Sequence, residues 1–527
     1  MKLVFLSDFH AGPTLGDFTR KIWNWVLREL VCIQPNVVVL GGDLWQAQDN
    51  VGQGEWLEEL SIRLPKSRVF SVPGNRDPDG SALYKTQANR IQVVSDTLVV
   101  PFDGANLLLV NTNREGRAFS AIQEHAKSAS PLIVACHQPF SLQELAALPE
   151  RKIGLILSGH AHRHEEWAAG GWKQIVCAGL DPLKTIDGLP ELLVVDVRGG
   201  ECLPTSHPMP PVALWHGCER KVVLGIAPYA TLGELVNLAC THHIPAIQAV
   251  FHRQQPLPTR YELSRLSDWR KQVPGSFLSY HLPDPELKAS PLGGLEPHLA
   301  WCAKAGVNDY TIHLPNIDAK RVYADEGRGD FLDIEESQCL MTIYANLASR
   351  VLDEGGFLSL ENHHNDALHF EGGRPDRLSS RPEHILRMIS FLRKAMRERG
   401  YGRDEAEHIG WIFDSGHARN NGGISNELSL ADWLRAGASV LQAAHIHQVH
   451  VDPKVHFKNH FAIRSIHEAL INHEGLMAGF AQTPGPTMRA FVEVRDPLQA
   501  VESWRLLNDL VARRLDRGGH YLSSFPQ

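Results

Sequence analysis

The sequence has little of what marks a membrane or a secreted protein. Its longest apolar runs, such as the four residues at 37–40, are far shorter than the roughly 18 residues that span a bilayer. Its eight cysteines include no CxxC pair, which in a chain of 527 residues favours free thiols in a reducing cytosol. We therefore expect a cytoplasmic protein without a membrane partner.

The chain also lacks an excess of basic residues. It has 52 Lys and Arg against 60 Asp and Glu, which gives a formal net charge of −8. Proteins that bind nucleic acid through its phosphates need a net basic face, so a nucleic-acid partner is less favoured and would require a local basic groove. Histidine, in contrast, is abundant at 28 residues, and this excess indicates metal sites.

Low-complexity tracts and short repeats are absent, but one segment is rich in proline. Residues 204–211 contain four prolines, too many for a helix or a central strand. We therefore predict a linker at 204–217 between a first domain at 1–203 and a second domain at 218–527. The length of the chain fits two large domains.

Both halves alternate short apolar runs with segments of helical spacing, which predicts α/β domains. The strands predicted in the first half are 2–6, 37–40, 69–72, 107–111, 132–136 and 155–157. Those predicted in the second half are 222–226, 246–251, 277–281, 310–313, 357–361, 410–414, 439–443 and 490–493, followed by a last helix at 498–515. Eight strands with helices between them predict a (β/α)8 barrel.

Polar residues follow the predicted strands of the first half in a fixed order. The motifs are DFH at 8–10, GGD at 41–43, GNRD at 74–77, CH at 136–137 and GHAH at 159–162. The candidate metal ligands in them are Asp8, His10, Asp43, Asn75, His137, His160 and His162. Oxygen and nitrogen donors without a thiolate favour Mn, Fe or Zn. A carboxylate can bridge two such metals, and a two-metal site binds a phosphoryl group and generates hydroxide from water.

The order of these motifs resembles the calcineurin-like metallophosphoesterases over about residues 1–200, where the pattern is DxH, GD, GN(H/x)D, H and GHxH. The resemblance implies a layered αββα domain with two divalent metals that hydrolyses a phosphate mono- or diester. It implies that Asp8, His10, Asp43 and His162 hold one metal, and that Asp43, Asn75, His137 and His160 hold the other. Asp43 and His137 are therefore also candidate catalytic residues.

The first half departs from this pattern at one position. Many members have His after the Asn, where this chain has Arg76. Arginine does not donate a proton near neutral pH, but its planar fork neutralises phosphate oxygens. Arg76 is therefore a candidate catalytic and substrate-binding residue.

The second half contains most of the histidines, since only six of the 28 precede residue 205. Acidic and imidazole side chains recur at the carboxyl ends of the predicted barrel strands, where barrel enzymes build active sites. They are His281, His313, Glu361, Asp414, His417, His445 with His447, and Glu493.

The segments LEN at 360–362, DxxH at 414–417 and HxH at 445–447, with the late Glu493, resemble the xylose-isomerase-like barrels over about residues 218–500. The resemblance implies a core metal site of Glu361, Asp414, His445 and Glu493, with His417 beside it and with Glu361 and His417 as catalytic candidates. His281 and His313 match additional ligands of the three-metal endonuclease IV branch, whose further Asp-x-His has no clean match at 450–473. The number of metals in the barrel, Zn or Mn, therefore stays open between one and three. The type of site stays open between an isomerase and a hydrolase.

Two loops after barrel strands offer arginines to an anionic ligand, Arg374 and Arg419. We interpret the chain as a two-domain metalloenzyme, a phosphoesterase joined to a barrel that acts on a sugar-like or phosphorylated small molecule. One alternative is a DNA-repair or defence nuclease, and another is that one half is degenerate and serves as a scaffold. The sequence gives no indication of the oligomeric state.

Overall fold

The computed structural model describes the 527 residues except 12–16, 47–52, 78–89, 114–116, 128–129, 151–153, 187, 251–256, 288–290, 328, 365–375, 422–423, 453–455, 467–469 and 519–527. The chain divides into two compact units. The first, here the N-terminal unit, is Met1–His216 with the later segments Asn426–Asp432 and Ile471–Ala478. The second, here the barrel unit, is Gly217–Ser425, Trp433–Leu470 and Gly479–Gln527.

The N-terminal unit is built on two six-stranded sheets. Its strands are β1 (Lys2–Leu6), β2 (Val37–Leu40), β3 (Arg68–Ser71), β4 (Ile91–Val93), β5 (Thr97–Phe102), β6 (Ala105–Val110), β7 (Leu132–Cys136), β8 (Gly154–Ser158), β9 (Glu165–Ala169), β10 (Trp172–Val176), β11 (Glu191–Arg198) and β12 (Glu201–Pro208). The helices are α1 (Asp17–Ile33), α2 (Gln53–Arg63), α3 (Arg117–His125), α4 (Leu142–Ala147) and α5 (Pro211–Trp215). The sheet orders are β12-β11-β1-β2-β3-β4 and β5-β6-β7-β8-β10-β9.

Strand β7 shows why these runs are continuously apolar. Successive side chains of a strand point to opposite faces of the sheet. Ile133 and Ala135 join the core between the two sheets. Val134 and Cys136 point the other way and pack with Ile122 of helix α3. Both faces are therefore covered, one by the other sheet and one by helices, which confirms the layered αββα fold.

The segment predicted as a proline-rich linker contains regular structure. Strand β12 covers Glu201–Pro208, and helix α5 begins at Pro211. Strand β12 lies at the edge of its sheet, where it pairs only with β11 among the described strands. An edge strand needs hydrogen bonds on one side only, so it tolerates the two prolines that a central strand would exclude.

The barrel unit is a closed barrel of eight parallel strands, which confirms the fold predicted for the second half. The strands are β13 (Val222–Ile226), β14 (Ala246–Val250), β15 (Phe277–His281), β16 (Asp309–His313), β17 (Phe357–Glu361), β18 (Ile409–Asp414), β19 (Leu441–Ile446) and β22 (Met488–Val492). A two-stranded hairpin, β20 (Gln448–Asp452) and β21 (His456–Phe461), is inserted before the last strand, which closes the barrel against β13.

Helices alternate with the barrel strands. Those that follow residue 217 are α6 (Leu232–His242), α7 (Arg260–Gln272), α8 (Glu296–Ala305), α9 (Ala324–Gly327), α10 (Glu335–Asp353), α11 (Pro382–Glu398), α12 (Arg403–Ala406), α13 (Ser415–Arg419), α14 (Ile424–Glu427), α15 (Leu430–Gly437), α16 (His473–Gln482) and α17 (Pro497–Gly518). A short 3-10 turn lies at Ala319–Arg321.

The seventh barrel strand differs from its predicted position. It was expected at 439–443 and is found at Leu441–Ile446. Val440 belongs to the turn after helix α15, because its backbone N–H donates to the carbonyl of Gly437 at 2.9 Å. His445 therefore lies within the strand and points into the barrel, fully buried.

Candidate metal centres

The candidate ligands of the N-terminal unit lie in tight turns after its strands. Asp8 and His10 follow β1, and their backbone N–H groups donate to the carbonyls of Gly42 at 2.9 Å and of Asp43 at 3.0 Å. Five candidate ligands have positive φ, between 47° and 71°: Asp8, His10, Asp43, His160 and His162. This region is unfavourable for residues other than glycine and persists where the surroundings over-determine it. The turns are therefore held in a conformation that the site needs.

Asp8, His10 and His162 form what we call the first ligand group. The two Nε2 atoms of His10 and His162 are 3.3 Å apart, and each lies about 4 Å from Asp8 Oδ1, at 4.0 and 3.9 Å. Such separations are those of neighbouring ligands around one cation with bonds of about 2.1 Å. Asp8 Oδ1 is buried and has no hydrogen-bond partner among the described residues. An unsatisfied buried carboxylate oxygen fits a bound metal.

Asp43, His137, His160 and Asn75 form the second ligand group. His137 Nε2 lies 3.0 Å from Asn75 Oδ1, 3.4 Å from Asp43 Oδ1 and 3.3 Å from His160 Nδ1. His137 Nδ1 donates to the carbonyl of Gly41 at 2.9 Å, a contact that orients the ring and leaves Nε2 for a ligand. The structure thus brings all seven predicted ligands into two adjoining groups.

The pKa shifts of this site come from burial and from mutual charges. Burial raises the pKa of Asp8 to about 6, against the lowering effect of His137. Burial also opposes ionisation of Asp43, but its hydrogen bond with His137, the charge of His137 and the contacts with Arg76 together outweigh burial and lower its pKa. Burial likewise disfavours the charge of His137, but the Asp43 hydrogen bond, the charges of Asp8 and Asp43 and the carbonyl of Gly41 together raise its pKa to about 9. A divalent cation would supply the positive charge that Asp8 lacks here.

Asp77 braces this site and was not chosen from the sequence, although it stands in the GNRD motif. Its carboxylate accepts from the backbone N–H groups of Asp43, Leu44 and Gly74, at 2.9, 2.9 and 2.8 Å. It therefore ties the turn after β2 to the turn after β3. Gly74 packs against the turn after β2. A Cβ at residue 74 would lie 2.2 Å from the backbone nitrogen of Asp43, which explains why the motif has glycine here.

Arg76 is oriented toward the second ligand group. Its backbone N–H donates to Asp43 Oδ1 at 2.8 Å, and its Nε lies 4.0 Å from Asp43 Oδ2. The Nη1 atom is buried and has no hydrogen-bond partner among the described residues. The guanidinium therefore has donors available for an anionic ligand at the second group.

The barrel unit gathers its candidate ligands around two carboxylates, in what we call the barrel cluster. Glu361 is surrounded by four imidazoles: His281 Nε2 at 2.8 Å, His445 Nδ1 at 2.9 Å, His313 Nε2 at 3.3 Å and His417 Nδ1 at 3.6 Å. Burial would raise the pKa of Glu361, but the charges of His313, His445 and His281 hold it well below its usual range.

Asp414 is the second carboxylate of the barrel cluster. His447 Nε2 lies 3.1 Å from both of its oxygens, and His417 donates its backbone N–H to Oδ1 at 2.6 Å. Glu493 follows the last strand, and its Oε2 lies 3.3 Å from His445 Nδ1. That Oε2 atom is buried without a hydrogen-bond partner among the described residues, so the donor set fits a cation here too.

His447 and His460 join the barrel cluster, although the sequence predicts neither as a ligand. Ring nitrogens of His417, His447 and His460 lie within 4.8 Å of one another. His447 stands in the HxH segment that the sequence singled out, so its position was a usable signal. His460 lies on hairpin strand β21 with a φ of 62°. No spacing rule links it to the barrel strands, so only the fold reveals it.

The predicted substrate-binding arginines of the barrel have different outcomes. Arg374 lies outside the described residues. Arg419 Nε donates to the carbonyl of Leu470 at 3.2 Å. Arg377, which is not among the predicted residues, reaches the cluster through His363, because its Nη1 lies 2.8 Å from Nδ1 of His363. The His363 ring in turn stacks on that of His417, with centroids 4.9 Å apart.

Comparison with known proteins finds a family match in the N-terminal part of the chain. The model of the family described as Calcineurin-like phosphoesterase matches residues 1–164. A Danio rerio protein named transmembrane protein with metallophosphoesterase domain is 27% identical over 181 residues, which are 31% of this chain and 40% of that protein. This chain thus spans less than half of that relative. The N-terminal part of the chain, residues 1–164, is thus similar to calcineurin-like phosphoesterase domains.

Solved structures similar to the chain include an epimerase-like protein and an endonuclease. A D-tagatose 3-epimerase-like protein has a TM-score of 0.38 at 16% identity, covering 56% of this chain and 99% of that one. Endonuclease IV from Thermus thermophilus has a TM-score of 0.36 at 14% identity, covering 55% and 99%. The barrel assignment rests on the strand order described above. Within the described ranges, no helix is both long and apolar enough to cross a membrane.

Proposed function

We propose that the N-terminal domain hydrolyses a phosphate mono- or diester with two divalent metals, Mn, Fe or Zn. The observation that carries this proposal is the pairing of the first and second ligand groups at adjoining strand ends. Asp8 and the loop of the second group are joined directly, since the backbone N–H of His160 donates to Asp8 Oδ2 at 2.9 Å. Two adjacent sites of this kind suit an in-line displacement at phosphorus.

The chain's own residues have separable parts in this chemistry. Metals bound by the two groups would supply the nucleophilic hydroxide and charge neutralisation. Arg76 would bind a non-bridging phosphate oxygen and hold the ester in place, because its guanidinium has a free donor beside Asp43. No general acid stands at that position, so esters with good leaving groups are the favoured substrates.

The test is hydrolysis of an aryl phosphate monoester and an aryl phosphodiester by the full chain, with Mn, Fe or Zn added after chelation. We expect turnover that depends on the added metal and is lost on chelation. Hydrolysis at the same rate in the metal-free protein would contradict the two-metal proposal.

For the barrel unit we propose a site with more than one Zn or Mn ion that acts on a small phosphorylated molecule. The supporting observation is overlap among the ligand groups. Glu361 is shared by a group with His281 and His445 and a group with His313 and His417, and a third group contains three imidazoles. Several adjoining metals favour hydrolysis of a phosphate ester over the isomerisation that a single metal would support.

A small substrate is favoured over nucleic acid by the charge of the chain. Duplex binding requires several Lys and Arg contacts and weakens steeply with salt, whereas the net charge here is −8. Small phosphate esters and a duplex with an abasic site should be compared over a salt series. Salt-sensitive nicking of the duplex without turnover of small phosphates would support the nuclease alternative. Absence of turnover on both, with metals bound, would support a scaffold role.

A further inference from the structure

A chain of polar side chains crosses the interior of the barrel and ends at the barrel cluster. It consists of Arg489, Asp309, Ser279, Gln248 and His445, from strands β22, β16, β15, β14 and β19. Gln248, Ser279 and His445 have no exposed surface, and Asp309 is 3% exposed. Polar groups this deep are costly unless each has a suitable partner. The pattern of donors and acceptors along the chain is therefore informative.

The first links fix the direction of the hydrogen bonds. The guanidinium of Arg489 contacts Asp309 Oδ2, and it can only donate. Ser279 donates its hydroxyl proton to the other carboxylate oxygen, Asp309 Oδ1, at 2.7 Å. The hydroxyl has only one proton, so toward Gln248 the oxygen of Ser279 must act as an acceptor.

The next links fix the amide of Gln248. Its Nε2 donates to Ser279 Oγ at 3.1 Å and to Thr311 Oγ1 at 3.0 Å. The amide oxygen Oε1 therefore faces His445 Nε2, at 2.6 Å. Since an amide oxygen only accepts, Nε2 of His445 must carry the hydrogen, and a neutral imidazole then has its lone pair on Nδ1.

Nδ1 of His445 faces three carboxylates. It lies 2.9 Å from Glu361 Oε1, 3.3 Å from Glu493 Oε2 and 4.0 Å from Asp414 Oδ2. A lone pair surrounded by three carboxylate oxygens is repelled unless a cation lies among them, either a proton on Nδ1 or a metal ion that takes the place of that proton. The tautomer and the carboxylates thus define one position for a metal ion.

We propose that the polar chain from Arg489 to Gln248 is a positioning device that selects Nδ1 of His445 as a ligand atom of the barrel metal site. This proposal rests on the proposed metal-dependent function of the barrel. Gln248 is a positioning residue, because it acts on the metal site through His445. Its removal should weaken metal binding rather than change the ligands themselves.

The first test exchanges His445 for two amides that differ in reach. The side chain of Asn places its amide near the position of Nδ1, whereas that of Gln reaches the position of Nε2. Barrel metal is counted by elemental analysis of the full chain, as the metal that Glu361→Gln lacks relative to wild type. We expect His445→Asn to keep most of this metal and His445→Gln to lose it.

The opposite ranking would overturn the proposal, because it would show ligation through Nε2. Equal metal content in the two variants, with the unfolding midpoint unchanged, would overturn the proposal as well. Such a result would show that metal binding does not depend on which ring nitrogen of His445 is the ligand. If Glu361→Gln holds as much metal as wild type, the proposed function of the barrel itself fails. That result is distinct from a failure of the His445 assignment.

The second test removes the positioning residue. Gln248→Met keeps the size of the side chain but removes the acceptor for His445. We expect the affinity of the barrel site for metal, measured by competition with a chromophoric chelator, to fall about 10- to 100-fold. Gln442→Met is the matched control. Gln442 lies on the same strand as His445, but its amide bonds to Glu407 O and Ser359 Oγ. Affinity in Gln248→Met equal to that in Gln442→Met would overturn the proposal.

Discussion

The two metal-ligand assemblies are held in different ways. In the N-terminal domain, five of the seven candidate ligands have positive φ, and the turn that contains Asp43 is braced by the carboxylate of Asp77. In the barrel, Glu361 and Asp414 are the last residues of regular strands, and their side chains are oriented by imidazoles. One assembly thus relies on strained turns and the other on side-chain hydrogen bonds, so the residues that sustain each should differ.

The two assemblies also differ in access. His160 of the second ligand group is exposed and His162 of the first is partly exposed. In the barrel cluster His445 and His447 have no exposed surface, and Asp414 has none. An exposed site accepts an ester carried on a larger group, whereas a buried one suits a compact ligand.

The largest effect should come from the central carboxylate of the first assembly. We expect Asp43→Asn to lower aryl phosphate hydrolysis by about 10³-fold or more, because in the proposed two-metal site Asp43 would bind both metals, and its loss would remove the hydroxide and the phosphate clamp together. Asp103→Asn, an exposed carboxylate of the same domain, is the control and should keep the wild-type rate. Near wild-type turnover and metal content in Asp43→Asn would refute the two-metal assignment.

A second experiment asks whether the assemblies load independently. Glu361→Gln or Asp414→Asn should remove the barrel metals while the aryl phosphate rate stays that of wild type. Metal content and hydrolysis are measured on the same preparation. If both fall in parallel while the fold is intact, the two assemblies are not separate and the comparison fails.

A third experiment tests the bracing of the strained turns. Asp77→Asn keeps the shape of the side chain but loses the charge that accepts three backbone N–H groups. We expect metal affinity and hydrolysis to fall about 10- to 100-fold, as for other residues that orient ligands. Asp196→Asn, which removes a surface ion pair with Arg198, should change neither. Equal metal affinity and hydrolysis in the two variants would show that the turns keep their conformation without the Asp77 carboxylate.

The smallest effect concerns a histidine that belongs to neither assembly. His384 is 1% exposed, its Nε2 lies 2.9 Å from the carbonyl of Gly327, and burial lowers its pKa to about 4. Because the unfolded chain binds this proton near pH 6.5, the contribution is present at pH 7 and is lost as pH falls toward 4. The free energy of unfolding should drop by about 2 kcal/mol between pH 7 and 5 from this group.

The check is denaturant unfolding of wild type and His384→Gln at the two pH values. The variant should lose less stability on acidification, since glutamine has no proton to gain. An identical loss in both proteins would show that His384 is not held neutral. The result would separate core histidines from those of the metal assemblies.

Much of the fold was predictable because buried parallel strands are continuous apolar runs. The run at 132–136 is one of these, covered on both faces. Strands such as β9 (Glu165–Ala169) and β12 were missed, because a half-exposed strand and an edge strand with prolines give no such run. The seventh barrel strand was predicted too early in the chain, because the apolar run begins at Val440, which belongs to the preceding turn.

Local motifs also pointed to the candidate ligands of the N-terminal domain, since each motif follows its own strand. His460 and Gln248 could not be found in this way. The first lies on an inserted hairpin, and the second lies within β14, where a lone glutamine among apolar residues has no distinguishing spacing. Their contributions depend on which side chains the closed barrel places opposite them.

The most direct test of two separate metal assemblies is the number of metal ions per chain, measured by elemental analysis of wild type and of Glu361→Gln. We expect more than three ions in wild type, four for a barrel with two metals and five for a barrel with three. In Glu361→Gln we expect the two ions of the N-terminal domain to remain. Two ions or fewer in wild type, with the same number in Glu361→Gln, would contradict a metal site in the barrel.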